Sequence, residues 1–261
     1  MPKHDFPGKL VIVDGLDGIG KGVVMDSIVE YLRAKGMRVF DINEYWQENH
    51  EHPEFEHSFI GDKTNPHYIP LSSFDVVVSS EPTYVGIGRA IRSEIISKNN
   101  RKYSPLFTAE MYAADRLLWY QRGILPMLKA GKIIIQSRGV ITSLVYQSMQ
   151  AKDTDQYLPM DHIAALHGNK LTLDFAPDLI IIPTIEDVGE IIKRLEGREK
   201  DDNAIFESLR FQEMIKPSYE STELRTFFEK HGTKVEYLDA GISIEETIRQ
   251  AVGLYHKNIE R

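Results

Sequence analysis

Short apolar runs alternate with segments of helical periodicity along most of the chain. Six runs predict buried strands, at Lys9–Asp14, Arg38–Ile42, Asp75–Ser79, Lys132–Gln136, Asp178–Ile182 and Lys234–Leu238. Apolar residues three and four apart predict helices between them, at Gly22–Lys35, Ile87–Ser97, Pro105–Lys129, Thr142–Met149, Glu186–Leu195, about Ile205–Lys230 and Glu245–Tyr255. Because strands that are apolar throughout are buried on both faces, this order predicts an α/β fold of three layers, with a mostly parallel sheet between two layers of helices.

The segment Asn43–Pro70 interrupts this alternation. It has six carboxylates, a single lysine, four of the nine histidines and five aromatic residues. The aromatic residues indicate an ordered excursion inserted between two strands, ending at about residue 73. His50 and His52 are spaced to place two metal ligands on one face of a strand. Pro53 favours the alternative of a solvated acidic loop, because proline interrupts a strand.

Composition and charge narrow the function. The chain has 261 residues, 42% of them hydrophobic, which is enough to bury the core of one domain spanning residues 1–261. The formal net charge of −8 disfavours general nucleic-acid binding, so an anionic ligand needs a local basic pocket. No apolar run is long enough to cross a bilayer, and the first residues lack a signal peptide. With no cysteine in the chain, we expect a cytoplasmic protein, and the charge and hydropathy predict no nucleic-acid partner and no membrane.

A glycine-rich motif follows the first predicted strand and opens the first predicted helix. Its sequence, GLDGIGK, matches GxxxxGK in the context that the phosphate-binding P-loop requires. Glycines let backbone N–H groups turn toward a phosphate, and the helix N-terminus adds partial positive charge. The motif therefore predicts a site for the phosphates of ATP, contacted by Gly15, Gly18, Ile19, Gly20, Lys21 and Gly22. Gly22 stands where the motif normally has Ser or Thr, so the hydroxyl that reaches Mg²⁺ is missing.

Four further stretches, in order along the chain, resemble the thymidylate kinases, P-loop enzymes that transfer a phosphoryl group from ATP to dTMP. They are Glu81-Pro82, the sequence YAADR at residues 112–116, the sequence SRGVITSLVYQ at residues 137–147, and the charged run at residues 196–202. The resemblance covers most of the chain outside the excursion. It implies a P-loop kinase fold with a helical lid at about residues 194–205, ATP and Mg²⁺ as cofactors, small-molecule nucleotides as partners, and a homodimer.

The resemblance also implies roles for individual residues. Lys21, Arg138 and the lid residue Arg198 are expected to be catalytic, and Arg194 is expected to contact ATP. The expected acceptor site consists of Asp17, Glu81, Pro82, Tyr112, Arg116, Arg138, Ser143 and Tyr146. The spacing of Tyr112 and Arg116 places them on one helix face, where a ring can stack on a base and a guanidinium can donate to its edge. A core aromatic residue and a surface ion pair remain the alternatives at these two positions.

Two departures from the family bear on the metal. Ser137 stands where the family usually has Asp, and Gly22 supplies no hydroxyl, so the metal ligands are left open. The first hypothesis is a nucleoside monophosphate kinase acting on dTMP or a related pyrimidine nucleotide. The second is a deoxynucleoside kinase with Glu81 as the base. The third is a nucleotide-binding regulatory module with impaired catalysis.

Overall fold

A parallel sheet forms the centre of the molecule. In residues 4–56, 63–191 and 208–260, which the computed structural model describes, six parallel strands lie in the order β2-β5-β6-β1-β7-β8, and β3 and β4 form a separate pair. The strands are β1 (Lys9–Val13), β2 (Val39–Asp41), β3 (Glu54–Phe55), β4 (Tyr68–Ile69), β5 (Val76–Ser80), β6 (Ile133–Ser137), β7 (Leu179–Thr184) and β8 (Lys234–Asp239). Every predicted strand is therefore present, with ends that differ by one or two residues.

Helices flank this sheet, which confirms the predicted three-layer α/β/α fold. They are α1 (Lys21–Ala34), α2 (Ile42–Asn49), α3 (Gly86–Ala90), α4 (Pro105–Trp119), α5 (Leu125–Lys129), α6 (Val140–Asp153), α7 (Met160–Ala165), α8 (His167–Asp174), α9 (Leu209–Tyr219), α10 (Thr222–Lys230) and α11 (Ile244–Ile259). One group packs α1 against α11, and another packs α4 against α6 and α8. The sequence pattern missed α2, α7 and α8, and it merged α9 with α10.

Strand β1 lies in the core, and its carboxyl end leads directly to the first helix. Its residues Leu10–Val13 are fully buried between β6 and β7. In α1, Val24, Ile28 and Leu32 are also fully buried, as their four-residue spacing predicts. The helix ends at Gly36, whose φ of 84° lets its N–H donate to the Arg33 carbonyl at 2.8 Å. The sheet thus holds the loop between β1 and α1 at a fixed edge.

The predicted helix Pro105–Lys129 contains a change of hydrogen-bond pattern. A π-helical segment, Tyr120–Ile124, joins α4 to α5 one residue before Pro126. Proline has no N–H to donate and its ring clashes with the preceding turn, so the wider π-turn accommodates it within a continuous helix. A second π-helical segment, Ile91–Ile96, continues α3.

The excursion packs against this π-turn. The Asp41 carboxylate caps α2 by accepting from the Asn43 N–H at 2.8 Å. Trp46 is fully buried, and its ring centroid lies 4.9 Å from that of Trp119 and 5.5 Å from that of His52. Hydrophobic burial and aromatic contacts therefore attach the excursion to the main domain.

Both interpretations of the histidines in the excursion are wrong. His50 ends α2 and is exposed, while His52 is 6% exposed and neither residue lies on a strand. Glu54 is also buried and forms an ion pair with Arg122, so the part of the segment around His52 is not a solvated loop. Within the part of the chain that the structure describes, no group of three or more His, Asp or Glu side chains is arranged to hold a metal ion.

The buried imidazole of His52 should make the protein lose stability in acid. Burial, with a smaller effect of the Arg122 cation, lowers the pKa of His52 from 6.5 to about 4. Because the unfolded chain keeps the higher pKa, stability is lost as the pH falls from about 6.5 to 4, by about 3 kcal/mol at pH 4. We expect His52→Phe, which keeps an aromatic ring packed against both tryptophans, to reduce this loss in urea unfolding at pH 7 and pH 4.

The control for this prediction is His167→Phe, because His167 is exposed. It should lose as much free energy of unfolding between pH 7 and pH 4 as the wild type loses. Equal losses in His52→Phe and the wild type would show that His52 is not the group that titrates.

Candidate functional site

The glycine-rich loop curls around a space at the carboxyl end of β1. Gly15, Gly18 and Gly20 have φ values of 149°, 80° and 104°, which residues with a Cβ rarely adopt. Lys21 begins α1 and folds its ammonium group back onto the loop, where Nζ donates to the carbonyls of Gly15 at 3.1 Å and Leu16 at 2.7 Å. The Ile19 side chain is fully buried and anchors the loop in the core.

Asp17, within this loop, is held by three elements. Its carboxylate accepts from the Tyr146 hydroxyl at 3.0 Å and from Arg138. Gln212 of α9 accepts from the Asp17 N–H at 2.8 Å and donates to its carboxylate at 3.4 Å. A carboxylate beside a phosphate site is costly unless it is hydrogen-bonded, and these contacts offset that cost.

Arg138 follows β6 in a left-handed backbone conformation. Its φ of 63° is unfavourable for a residue with a Cβ, by roughly 1–2 kcal/mol. Two hydrogen bonds maintain this conformation: the Arg138 N–H donates to the Val13 carbonyl at 2.9 Å, and the Gln136 side-chain amide donates to the Arg138 carbonyl at 3.0 Å. The guanidinium lies 5.3 Å from the centroid of the Tyr146 ring. Such strain is concentrated at functional sites.

Asp14 lies behind the loop and joins β1, α6 and α9. It is fully buried and accepts from the N–H groups of Gly15 at 2.7 Å and Gly139 at 3.2 Å, and from the hydroxyls of Thr142 at 2.6 Å and Tyr219 at 2.8 Å. Its carboxylate oxygens therefore already have four donors.

The opposite wall is the turn after β5. The peptide bond between Glu81 and Pro82 is cis. The Asp115 carboxylate accepts from the N–H and the hydroxyl of Thr83, both at 2.8 Å. Arg92, on the π-helical continuation of α3, donates to the Pro82 carbonyl at 2.5 Å. These contacts hold the turn against α3 and α4.

The loop and this wall enclose one cavity of about 410 Å³. It is lined by Asp17, Gly18, Gly20, Lys21, Gly22, Ser80, Glu81, Pro82, Tyr84, Arg92, Ile96, Tyr112, Ser137, Arg138, Thr142 and Tyr146. The cavity lies beyond the carboxyl ends of β1, β5 and β6, where ligands bind in parallel α/β sheets. Most of the predicted site residues are thus brought together.

Arg116 and Ser143 are not among the lining residues. Arg116 is 1% exposed, and it donates to the Glu81 carboxylate at 2.7 Å, to Ser143 at 3.2 Å and to Asn169. Burial raises the pKa of Glu81 to about 7, although Arg116 and a bond from Gln136 oppose this effect. The Arg116 guanidinium therefore holds Glu81, which lines the cavity, without lining the cavity itself.

Gly15 and Ile19 also lie outside the lining, whereas Arg194, Arg198 and the predicted lid fall outside the described residues. The residues of the site that the sequence analysis missed include Tyr84, Arg92, Gln212 and Tyr219. Gln212 and Tyr219 are seven apart, which places them on one face of α9, and this spacing is a signal that the sequence carries. For Arg92 the signal is its position, because it is a cation on the helix that follows the Glu81-Pro82 turn.

The comparisons with known proteins agree with this geometry. The family model described as thymidylate kinase matches residues 67–250. A thymidylate kinase of a Geobacillus species is 24% identical over 97% of this chain and 98% of its own length. A probable thymidylate kinase of Methanococcus maripaludis is 34% identical over 86% of this chain and 83% of its own.

A solved thymidylate kinase from Candida albicans superimposes with a TM-score of 0.60 over 96% of this chain and 92% of that structure, at 16% identity. At this identity the likeness concerns the fold alone. The family model, by contrast, spans more than half of the chain and includes the turn after β5, β6 and α6. The chain therefore belongs to the thymidylate kinase family.

Proposed function

We propose that this protein transfers the γ-phosphoryl group of ATP to dTMP. Membership of the thymidylate kinase family supports phosphoryl transfer between nucleotides, and one observation about the cavity carries the proposal. A single cavity joins a glycine-rich phosphate loop to a pocket with two arginines and aromatic walls, as a reaction between two anionic nucleotides requires. The related pyrimidine monophosphates remain alternative acceptors.

On the donor side, the loop and the α1 N-terminus are proposed to hold the outer phosphates of ATP. Gly18, Gly20 and Gly22 line the cavity, so their N–H groups are proposed to donate to phosphate oxygens there, where the positive end of the helix dipole adds to them. Lys21 would exchange its two carbonyl contacts for phosphate oxygens. Arg198 and Arg194 stay proposals for the transferring group and for ATP.

On the acceptor side, Asp17 and Tyr146 are proposed to hold the deoxyribose. Arg92 is the cation on the far wall, so we assign it to the acceptor phosphate, and Arg138 lies where it can contact both phosphates. Tyr112 and Pro82 offer apolar surface to the base. Arg116 and Ser143 act through Glu81 and the wall, unless nucleotide binding draws the guanidinium into the cavity.

The chemical step follows from these positions. An oxygen of the acceptor phosphate attacks the γ-phosphorus, the bond to the β-phosphate oxygen breaks, and ADP leaves. A phosphate dianion has no proton to lose, so no general base is required. Arg138 and Lys21 neutralise charge that spreads over the oxygens of the transferring group.

Mg²⁺ is implied by the family, and the described residues do not offer it a ligand set. The Asp14 oxygens have four donors, the Glu81 carboxylate is paired with Arg116, and Gly22 has no hydroxyl. We therefore propose that the ion would enter the site together with ATP and that none of these three residues would ligate it directly. A Cβ placed on Gly22 meets nothing within 4 Å, so a larger residue fits there.

Adding a hydroxyl at position 22 and a carboxylate at position 137 should let the enzyme work at lower Mg²⁺ concentrations. We expect Gly22→Thr combined with Ser137→Asp to lower the Mg²⁺ concentration for half-maximal activity, by on the order of tenfold. The double variant should gain more than either single variant, because both groups would act on one ion and its waters. A Mg²⁺ titration of the wild type and the three variants measures this. Equal half-saturation in all four would show that neither position lies near the metal.

A coupled assay of ADP release tests the function itself. The wild type is given ATP, Mg²⁺ and each of the nucleoside monophosphates, with thymidine as an acceptor that lacks a phosphate. Turnover with dTMP and not with thymidine supports the proposal. Turnover with thymidine alone would favour a deoxynucleoside kinase, for which the pKa of Glu81 near 7 suits a base. Binding without any turnover would favour a regulatory module.

The location, the oligomeric state and the domain organisation of the protein remain proposals. The described helices include none that is both long and apolar enough to cross a bilayer. A cytoplasmic location is proposed on the absence of cysteine and a homodimer on the family resemblance, and light scattering with size-exclusion chromatography tests the dimer. The single domain with an inserted excursion and a lid is proposed on the same ground.

A further inference from the structure

Tyr84 forms a cation–π contact at the wall of the cavity. The Cζ atom of the Arg92 guanidinium lies 3.8 Å from the centroid of the Tyr84 ring, and both residues line the cavity. At this distance the ring covers one face of the guanidinium, which is attracted to the ring quadrupole. The sequence pattern singled out neither residue.

The guanidinium is also held along one edge. Nε donates to the carbonyls of Pro82 and Thr83, both at 3.2 Å, and Nη2 donates to the Pro82 carbonyl at 2.5 Å. Nη1 has no hydrogen-bond acceptor among the residues that the structure describes. Arg92 thus has one covered face, one bonded edge and one edge with N–H groups to offer to a ligand.

The turn that accepts from Arg92 and the helix that carries Arg92 are held by contacts that do not involve Tyr84. Asp115 binds the N–H and hydroxyl of Thr83, and α3 packs so closely that a Cβ on Gly88 would lie 2.3 Å from the Thr83 carbonyl. Ile91 and Ile95, on either side of Arg92 in the chain, are buried in a cluster with Tyr112. Removing the Tyr84 ring should therefore uncover one face of the guanidinium, so that it can tilt about its bonded edge, without moving the turn or the helix.

We propose that Tyr84 is a positioning residue that fixes the Arg92 guanidinium for an acceptor phosphate. The ring prevents rotation out of the plane, so the remaining N–H groups point at two oxygens of one phosphate. Paired N–H···O bonds of this kind give both affinity and geometric selectivity. The inference rests on the proposed function, and it adds that recognition of a monophosphate, as distinct from a nucleoside, depends on Tyr84.

Three variants at position 84 and one at position 92 test the proposal. Tyr84→Leu removes the aromatic face, and Tyr84→Phe keeps it. Tyr84→Met replaces the leucine variant if that variant does not fold by circular dichroism. Arg92→Gln removes the charge, and Tyr157→Leu is the matched control, because Tyr157 is 86% exposed and outside this cavity.

We expect Tyr84→Leu to raise the KM for dTMP about tenfold, while kcat and the KM for ATP change less than twofold. Calorimetry should show the same loss for dTMP and an unchanged affinity for thymidine, which has no phosphate. Tyr84→Phe and Tyr157→Leu should match the wild type. In the Arg92→Gln background, Tyr84→Leu should have little further effect, because the two residues act as a unit.

Each failure has a separate signature. If the wild type neither binds nor phosphorylates dTMP, the proposed function fails, and the inference fails with it. If the wild type does both and Tyr84→Leu has the KM of the wild type, only the inference is overturned. Equal losses for dTMP and thymidine would also overturn it, because they would place Tyr84 at the base or in the general structure of the pocket.

Discussion

Lys21→Ala is expected to reduce kcat by about 10²–10³-fold or more and to weaken ATP binding, while the protein stays folded. The ammonium group is the cation at the start of α1, and its bonds go to two carbonyls of the glycine-rich loop. In the reaction it would neutralise charge on the outer phosphates, and alanine offers no substitute. Calorimetry with ATP and steady-state kinetics with dTMP measure both effects.

The control for this prediction is Lys35→Ala, just beyond the other end of α1. That lysine is exposed and pairs with Glu260, so its loss should leave both ATP affinity and kcat unchanged. The thermal midpoint of Lys21→Ala should remain near that of the wild type. An ATP affinity and a kcat equal to those of the wild type in Lys21→Ala would remove this residue from the mechanism.

Arg138→Gly is expected to lower kcat by about 10³-fold without lowering stability. Arginines that stabilise phosphoryl transfer contribute about 10³–10⁵ in kcat. Arg138 also holds its backbone at a φ of 63°, a conformation that glycine adopts without strain. The variant should therefore lose activity while the relief of strain offsets the loss of the contact with Asp17.

Two measurements separate these effects of Arg138→Gly. Kinetics at saturating ATP and dTMP report kcat, and thermal unfolding reports stability. Arg210→Ala is the control, because Arg210 is exposed and pairs with Asp153 outside the cavity. A large fall in the thermal midpoint together with the loss of activity would assign Arg138 a structural role.

The fold was predictable because its strands carry a strong local signal. Apolar runs such as Leu10–Val13 have no alternative to burial, and the glycine-rich motif needs a strand before it and a helix after it. The three-layer fold and the family resemblance are therefore confirmed. The excursion was not predictable in the same way, since the burial of His52 depends on Trp119, a partner distant in the chain.

The sequence predicts which residues belong to the site better than it predicts which of them contact each other. Helical spacing places Tyr112 and Arg116 on one face, but it does not show that the Glu81 carboxylate lies within reach of the guanidinium. In a buried setting the charge pairs with the nearest carboxylate, so Arg116 lies behind the wall. The roles of the site residues stay predictions, and those of Arg194 and Arg198 concern residues outside the described structure.

Helix α9 contacts two carboxylates at the carboxyl end of β1. Gln212 is hydrogen-bonded to Asp17, and the Tyr219 hydroxyl donates to Asp14. Residues 194–205, the lid that the sequence predicts, come before this helix in the chain. If that lid closes over ATP as proposed, α9 would join it to Asp17, the carboxylate proposed for the acceptor sugar. Any coupling through α9 would then be reciprocal, so ATP and the acceptor would change each other's affinity by the same factor.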